Sequence, residues 1–291
     1  FIFKTDGIMS ERVQITVPYD SSKVIGFTID EGNSDPATSI EYTYGAVGMK
    51  PGDAWDSIFT LNRIRPVLLD KTTGTVISEL NKNNFSQNIN GESITLTENI
   101  DVMIEFPKVY WKIEKQDDVV SVQVSEEQLD ASFKALAHTD DNGSVKDKLY
   151  ISAYQATRYG SIGSYRMRSH YVTSSTIGDK SSTNNIIMRD NRYKMLNWHQ
   201  WTMLQILFVL RYKKTNSLAV LGSGATSRTT GNTKESGMYA GMPSGSGSNK
   251  FAGIENLFTT SLSHWISDLI TDASVNYVID GTTIQTEFTG Y

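Results

Sequence analysis

The most constraining feature of the sequence is a predicted helix over residues 197–211 that is apolar on both faces. Asn197 is a typical N-cap residue, and the positions that follow it recur at helical spacing. One face carries Trp198, Trp201, Leu204 and Phe208, and the other carries Met203, Ile206, Leu207 and Leu210. Because a helix that is apolar all round has to be buried, the rest of the chain must surround it. With 38% hydrophobic residues in 291, the chain has enough apolar material to do so.

The first part of the chain predicts mostly β-structure. Short apolar stretches alternate with turn signals rich in Gly, Pro, Asn and Asp, as strands and tight connections require. A proline cannot donate to a sheet ladder, so Pro107 predicts an edge, a bulge or a break in an otherwise strong strand. The predicted strands are Val13–Val17, Val24–Ile29, Ile94–Leu96, Val102–Ile113 and Leu149–Tyr154.

A further helix is predicted from Ser125. Ser125 and Gln128 have the spacing of a capping box, and Leu129, Phe133 and Leu136 share one helical face.

A stretch rich in Gly, Ser and Thr covers residues 222–249 and is followed by the apolar segments Phe251–Leu257 and Trp265–Leu269. By composition alone it could be a flexible linker. We interpret it as a surface loop embedded in a domain, because the apolar segments after it need a core to join.

Chemistry-bearing motifs are scarce. The chain has no cysteine, which excludes thiolate zinc sites, and its four histidines lack the spacing of a helical metal pair. Phosphate-loop, dinucleotide and nucleophile-elbow signatures are missing. We therefore predict a non-enzymatic protein without cofactor or transition metal. Calcium remains open, because Asp140 and Asp141 could supply hard oxygen ligands, although a solvated turn is the simpler interpretation.

Charge and hydropathy limit the kinds of partner that the chain can bind. The net charge of -5 argues against nucleic acid, which attracts a positive surface. No stretch is long and apolar enough for membrane insertion.

The 14 Tyr and 5 Trp residues among many Ser, Gly and Asn suit a contact surface, although most aromatics belong to a core. We expect Trp111, Trp198 and Trp201 in the core. We expect exposure at Tyr159, Tyr165, Tyr171, Tyr239, Met242 and Trp265.

A family resemblance extends over roughly residues 13–280. It is carried by Ser34-Asp35-Pro36, Ala46-Val47-Gly48-Met49, Ile64-Arg65-Pro66, Asp101 to Lys108, Leu204-Gln205-Ile206-Leu207 and Gly253-Ile254-Glu255-Asn256. In this order the chain resembles tail proteins of phages and prophages of Gram-positive bacteria. The C-terminal part of that family is similar to the formylglycine-generating-enzyme variant of the C-type lectin fold.

The resemblance implies an α+β fold: a C-type-lectin-like domain with two helices, small twisted sheets and long loops, preceded by a mainly β N-terminal region. The expected organisation is 1–12 as leader or linker from a preceding segment, 13–103 as the mainly β region, and 104–291 as the ligand-binding domain. The catalytic cysteines and the closely spaced histidine pair of the related enzymes are absent here. The resemblance therefore implies the fold without those catalytic sites.

The segment after Asn256 departs from the family pattern. Several of its residues are within one adenine change of an Asn codon, which is the spectrum left by diversity-generating retroelements. Ordinary drift in a polar loop would look similar, so both explanations stand. The candidate ligand-binding residues are Tyr239, Met242, Thr259, Thr260, Ser261, Ser263, His264, Trp265, Ser267 and Asp268.

These expectations give two main functional hypotheses, beside a third in which the chain is an enzyme with an unrecognised site. The first is a receptor-binding, host-recognition protein of a phage tail, acting extracellularly at the host surface on a bacterial protein or glycan. The alternative is a purely structural tail or baseplate component that contacts other tail proteins. An analogy with tail fibres suggests a homotrimer, which composition does not test.

Overall fold

The computed structural model describes residues 20–97, 99–140, 142–154, 196–224, 230–243 and 247–259. It also gives the backbone of eight short strands outside these ranges: β1 (Lys4–Thr5), β2 (Ile8–Met9), β12 (Thr157–Tyr159), β13 (Arg166–Arg168), β17 (Ile266–Ser267), β18 (Ile270–Thr271), β19 (Ser274–Ile279) and β20 (Thr282–Glu287). The predicted strand Val13–Val17 lies outside the described residues.

The fold is α+β and mostly sheet. The remaining strands are β3 (Ile25–Asp30), β4 (Ile40–Tyr44), β5 (Arg65–Asp70), β6 (Val76–Asn81), β7 (Asn84–Asn88), β8 (Ile100–Pro107), β9 (Tyr110–Gln116), β10 (Val119–Ser125), β11 (Lys148–Ser152), β14 (Leu196–Asn197), β15 (Lys250–Phe251) and β16 (Ile254–Glu255). The α-helices of the described residues are α1 (Phe59–Arg63), α2 (Trp198–Tyr212) and α3 (Ser217–Leu221), with 3-10 turns at Ser21–Lys23, Asp53–Ser57 and Leu136–His138.

Two antiparallel sheets form residues 20–154, which we call the sheet region. One has the order β4-β3-β10-β9 and the other β11-β8-β5-β6-β7. The chain passes from the second sheet to the first at the break predicted at Pro107, where β8 ends and β9 begins three residues later. That prediction is confirmed, as are the strands predicted around Val24–Ile29 and Leu149–Tyr154. Ile94–Leu96, however, lies outside the strands.

The long apolar helix is confirmed as α2. The Asn197 side chain accepts from the Gln200 backbone, and the Gln200 side chain accepts from the Asn197 backbone, so a capping box fixes its start. From Met203 to Arg211, every residue of the helix except Gln205 is buried. No helix of the described residues has the length and apolar character required to cross a membrane.

The helix predicted from Ser125 is wrong. Ser125 is the last residue of β10 and pairs with Tyr110, so the backbone there is committed to a sheet. The Ser125 hydroxyl still accepts from the Glu127 amide, which makes a local turn rather than a helical cap. Phe133 is nevertheless buried. Its neighbour Lys134 forms an isolated antiparallel β-bridge with Trp111, which attaches this part of the chain to β9. Tertiary pairing has overridden a helical pattern.

The sheet region and the later elements share one core. Phe27, Trp55 and Ile104 belong to the same buried cluster as Leu207 and Phe251. The boundary predicted between residues 103 and 104 falls inside β8, and β10 pairs with β3 across it. Strand pairing is therefore continuous across this position.

Candidate functional site

The Gly/Ser/Thr-rich stretch is built into the fold. Within it and just after it, the structure describes residues 222–224, 230–243 and 247–259, which we call the anchored segment. Thr230, Thr233 and Asn249 are at most 3% exposed. For these parts of the chain, the interpretation as an embedded loop rather than a linker is confirmed.

A two-residue hairpin lies at the centre of the anchored segment. Strands β15 and β16 pair antiparallel, and Ala252 and Gly253 form the turn with φ angles of 48° and 83°. Two consecutive positive φ values match the right-handed twist of a hairpin. Gly253 is required for a second reason: a Cβ there would lie 2.4 Å from the Cδ1 atom of Ile104. The hairpin therefore presses directly against β8.

The Glu255 carboxylate holds the irregular chain beside the hairpin. Its side chain accepts from the Thr230 hydroxyl at 3.0 Å, the Gly231 amide at 2.7 Å, and both the amide and hydroxyl of Thr233 at 2.9 and 2.7 Å. Glu255 is 2% exposed, and its own amide donates to the Ala153 carbonyl. One buried carboxylate thus takes the place of a sheet ladder for residues 230–233.

Two asparagines continue this anchoring to the end of the segment. The Asn256 amide donates to the Asn249 carbonyl, and the Asn249 amide donates to the side-chain oxygen of Asn256. Asn256 adopts a left-handed φ of 53°. The Asn249 side-chain amide donates to the carbonyls of Gly222 and Phe258. Both ends of the segment are therefore joined at one buried side chain.

Lys250 is a fully buried lysine. Its ammonium lies 3.4 Å from the centre of the Phe85 ring and donates to the Thr233 carbonyl at 2.9 Å. Burial lowers the pKa of Lys250 to about 7, although the nearby Glu255 carboxylate acts in the opposite direction. Nothing in the sequence indicates this burial, because a single lysine at the end of a Gly/Ser-rich stretch is usually solvated.

Arg211 joins the end of α2 to the sheet region. Its guanidinium donates to both carboxylate oxygens of Asp56 at 2.8 Å and to Asp53 at 3.0 Å. It also stacks on the Tyr239 ring, with 3.8 Å between the guanidinium carbon and the ring centre. Burial opposes the charge on Arg211, but the hydrogen bonds to Asp56 outweigh it and raise its pKa.

The candidate ligand-binding residues divide into three groups. Met242 is 55% exposed, as expected. Tyr239 is not: its ring packs between Arg211 and Phe251, and its hydroxyl is buried, so the predicted exposure is wrong. Thr259 is half-buried, and its hydroxyl donates to the Ser223 carbonyl, so it closes the segment rather than facing solvent freely.

The other candidates lie in the segment that follows. Ser267 belongs to β17, which pairs in parallel with β14 next to the start of α2. Thr260, Ser261, Ser263, His264, Trp265 and Asp268 lie outside the described residues, as do Tyr165 and Tyr171. Of the predicted core tryptophans, Trp111 is 4% exposed, while Trp198 and Trp201 are half-buried.

A second feature, which the sequence did not indicate, is a charged cleft of about 720 Å³ on the sheet region. Its main lining residues are Arg65, Glu79, Lys82, Glu105, Lys108 and Lys148. Glu105 accepts from Arg65 Nε at 2.8 Å, Lys148 Nζ at 3.1 Å and the Tyr150 hydroxyl at 3.0 Å. Burial would raise the pKa of Glu105, but these hydrogen bonds outweigh it and lower the pKa, so Glu105 is held as a carboxylate.

In the described part of the chain, no three His, Asp or Glu side chains are grouped closely enough to hold a metal ion. His138 is buried with its Nε2 atom 3.4 Å from the Phe106 carbonyl, and burial lowers its pKa.

Comparison of the chain with protein-family models, with curated proteins and with solved structures finds no match.

Proposed function

We propose that this chain is a non-enzymatic recognition protein of a phage tail, in which a C-type-lectin-like domain presents residues 259–268 to a bacterial surface. The observation that carries the proposal is the buried hydrogen-bond network of the anchored segment. Glu255 and Asn249 fix an irregular chain up to Phe258, and the Thr259 hydroxyl closes it. Such anchoring holds the start of the adjacent segment in place, and preorganised loops lose less entropy on binding.

The architecture supports this proposal at the level of the fold class. The described chain is α+β, mostly sheet, with one long buried helix and a long irregular segment attached to the core. A rigid scaffold that carries irregular segments is a common arrangement for binding proteins, because the scaffold carries stability and the loops are free to vary. The sequence resemblance to tail proteins supplies the biological setting of the proposal.

The proposed partners follow from this setting. The receptor is a bacterial surface protein or glycan, and contact is noncovalent, through a central patch with a polar rim. Other tail proteins would hold the chain in the virion, as a homotrimer by analogy with tail fibres. The binding takes place outside the host cell, and no cofactor is assigned to it.

Adsorption of the labelled full chain to Gram-positive cells tests the proposal. The test variant replaces Thr260, Ser263, His264 and Ser267 together with alanine. We expect cell binding to fall by at least tenfold while the melting temperature changes little, because the proposal assigns these side chains to the receptor contact rather than to the core. The matched control replaces four exposed polar residues elsewhere with alanine, namely Ser93, Thr95, Ser144 and Ser236.

The outcomes separate the two hypotheses. Lost adsorption in the test variant alone supports host recognition by residues 259–268. Equal adsorption of both variants would place recognition elsewhere on the chain. If the unmodified chain adsorbs to no cell in a broad panel but binds other tail proteins, it is a structural tail component.

A further inference from the structure

The charged cleft lies on the sheet region, away from the proposed recognition segment in sequence. Its walls come from the sheet β11-β8-β5-β6-β7 and from the end of α1. Arg65 and Glu105 are directly opposite each other on β5 and β8, and their side chains therefore share one face of this sheet. Its volume of about 720 Å³ lies within the roughly 300–1,000 Å³ of small-molecule sites.

Most charges of the cleft are already paired. Five cationic and five carboxylate side chains line it, and Lys23 adds a sixth cation that pairs with Glu127. Arg63 pairs with Glu126, and Lys108 pairs with Asp147. Glu105 accepts from three donors, two of which are the cations Arg65 and Lys148. Among the described lining residues, each carboxylate therefore has a cationic partner, and one cation has no carboxylate partner.

That cation is Lys82, in the turn after β6. Its ammonium donates to the Asn62 carbonyl at 2.7 Å, and no described carboxylate lies within 4.0 Å of it. Burial lowers the pKa of Lys82, and the like charge of Arg65 acts in the same direction, while Glu79 and Asp56 oppose it. Glu79 and Asp56 therefore act more strongly on Lys82 than Arg65 does, and Lys82 and Arg65 line the same cleft.

Arg65 has hydrogen-bonding capacity to spare as well. Its Nε atom donates to Glu105 and its Nη1 atom to Glu79, and within the described residues its Nη2 atom has no partner. The lining of the cleft therefore holds unused N–H donors on two neighbouring cations. An anion between them would accept hydrogen bonds from these donors.

We propose that the charged cleft binds a sugar that carries a carboxylate or a phosphate, with its anionic group between Lys82 and Arg65. The same cleft offers oxygen acceptors for hydroxyl groups, on Glu79 and on the exposed side chain of Asn62. Planar carboxylate and amide groups of this kind match the hydrogen-bonding of sugar hydroxyls. An anionic, hydroxyl-rich ligand satisfies both sets of groups.

Titration of the full chain with glucuronate, glucose 1-phosphate and glucose, followed by ligand-observed NMR at low salt, tests this assignment. We expect saturable binding of at least one anionic sugar, with glucose at least tenfold weaker. Lys82→Met should weaken that binding at least tenfold, and Lys82→Arg should keep most of it. The matched control is Lys50→Met, which removes the same charge from an exposed lysine that does not line the cleft.

Each result decides the matter. Preference for glucuronate identifies a carboxylate site, and preference for glucose 1-phosphate identifies a phosphate site. Absence of saturable binding, equal binding of glucose, or equal weakening by Lys82→Met and Lys50→Met would overturn the proposal. The melting temperature of each variant shows whether a lost signal reflects binding or folding. The test is independent of adsorption to cells, so it can fail while the proposed function stands.

Discussion

The sheet region and the anchored segment satisfy the hydrogen bonds of their backbone groups in different ways. In the sheet region, backbone groups hydrogen-bond one another along the strands of two sheets, one of four strands and one of five. In the anchored segment, residues 230–233 have no ladder, and the Glu255 side chain supplies four acceptor contacts instead. The order of this irregular chain therefore depends on a few individual side chains.

The Glu255→Ala substitution is the strongest test of this difference between the two regions. Because several buried donors would lose their only acceptor, we expect the free energy of unfolding to fall by about 3–5 kcal/mol. Urea denaturation measures this loss. The control is Glu92→Ala, an exposed glutamate of the sheet region, with an expected change of about 0.5 kcal/mol or less. Similar losses in the two variants would mean that the network does not hold the segment.

Lys250→Met tests the buried cation beside that network. The pKa of Lys250 is about 7 in the folded chain against an ordinary 10.5, so between these pH values the unfolded chain binds the extra proton. The cost of burying the charge is therefore full below pH 7 and disappears as the pH rises toward 10.5. Relative to Lys250→Met, the free energy of unfolding of the unmodified chain should rise by ~2–4 kcal/mol from pH 7 to pH 10. A difference that does not change with pH would show that Lys250 stays charged at neutral pH.

Gly253→Ala tests the contact between the two regions. The added Cβ meets Ile104, and alanine resists the positive φ, so we expect a loss of about 2–3 kcal/mol. Ile104→Val alone should cost about 0.5–1.5 kcal/mol. Since valine lacks the clashing Cδ1 atom, the double variant should be about 1 kcal/mol more stable than the sum of the single losses predicts. Simple additivity in urea denaturation would mean that the hairpin moves away from β8.

The smallest effect is expected at Met242. Its side chain is 55% exposed, so Met242→Ala should change the free energy of unfolding by ~0.5 kcal/mol or less. Thermal denaturation beside the unmodified chain is sufficient to measure it. A larger loss would extend the anchored network to a residue that we place on the surface.

Sequence patterns predicted what depends on local periodicity and turn chemistry. The helix from Trp198 to Tyr212 has a capping box at its start, and the break at Pro107 follows from a missing donor. The pattern at Ser125 failed because pairing with Tyr110 comes from a strand that is close in space, and helical spacing carries no information about it. Tyr239 was misjudged for the same reason, since the Arg211 guanidinium that covers its ring lies 28 positions earlier.

The contacts of the buried polar side chains could not be predicted from local sequence patterns. Glu255 lies in the stretch Gly253 to Asn256, which the family resemblance had singled out, yet nothing in its neighbours reveals four donors from residues 230–233. Lys82 and Glu105 are 23 positions apart; they line one cleft because β6, which Lys82 follows, and β8, which contains Glu105, both pair with β5. Side-chain networks between distant segments require the tertiary structure.

The tether at Arg211 has a consequence for how the molecule opens. Its guanidinium bonds Asp53 and Asp56, and its carbonyl accepts from the Gly52 amide at 2.6 Å, so α2 cannot leave its place without releasing the 3-10 turn of the sheet region. Partial opening of one half therefore removes buried contacts from the other. Amide protons of α2 and of strand β8 should exchange with solvent through the same rare global event. Hydrogen-exchange experiments would then show one cooperative unit, in which amides of the anchored segment exchange as slowly as those of the two sheets.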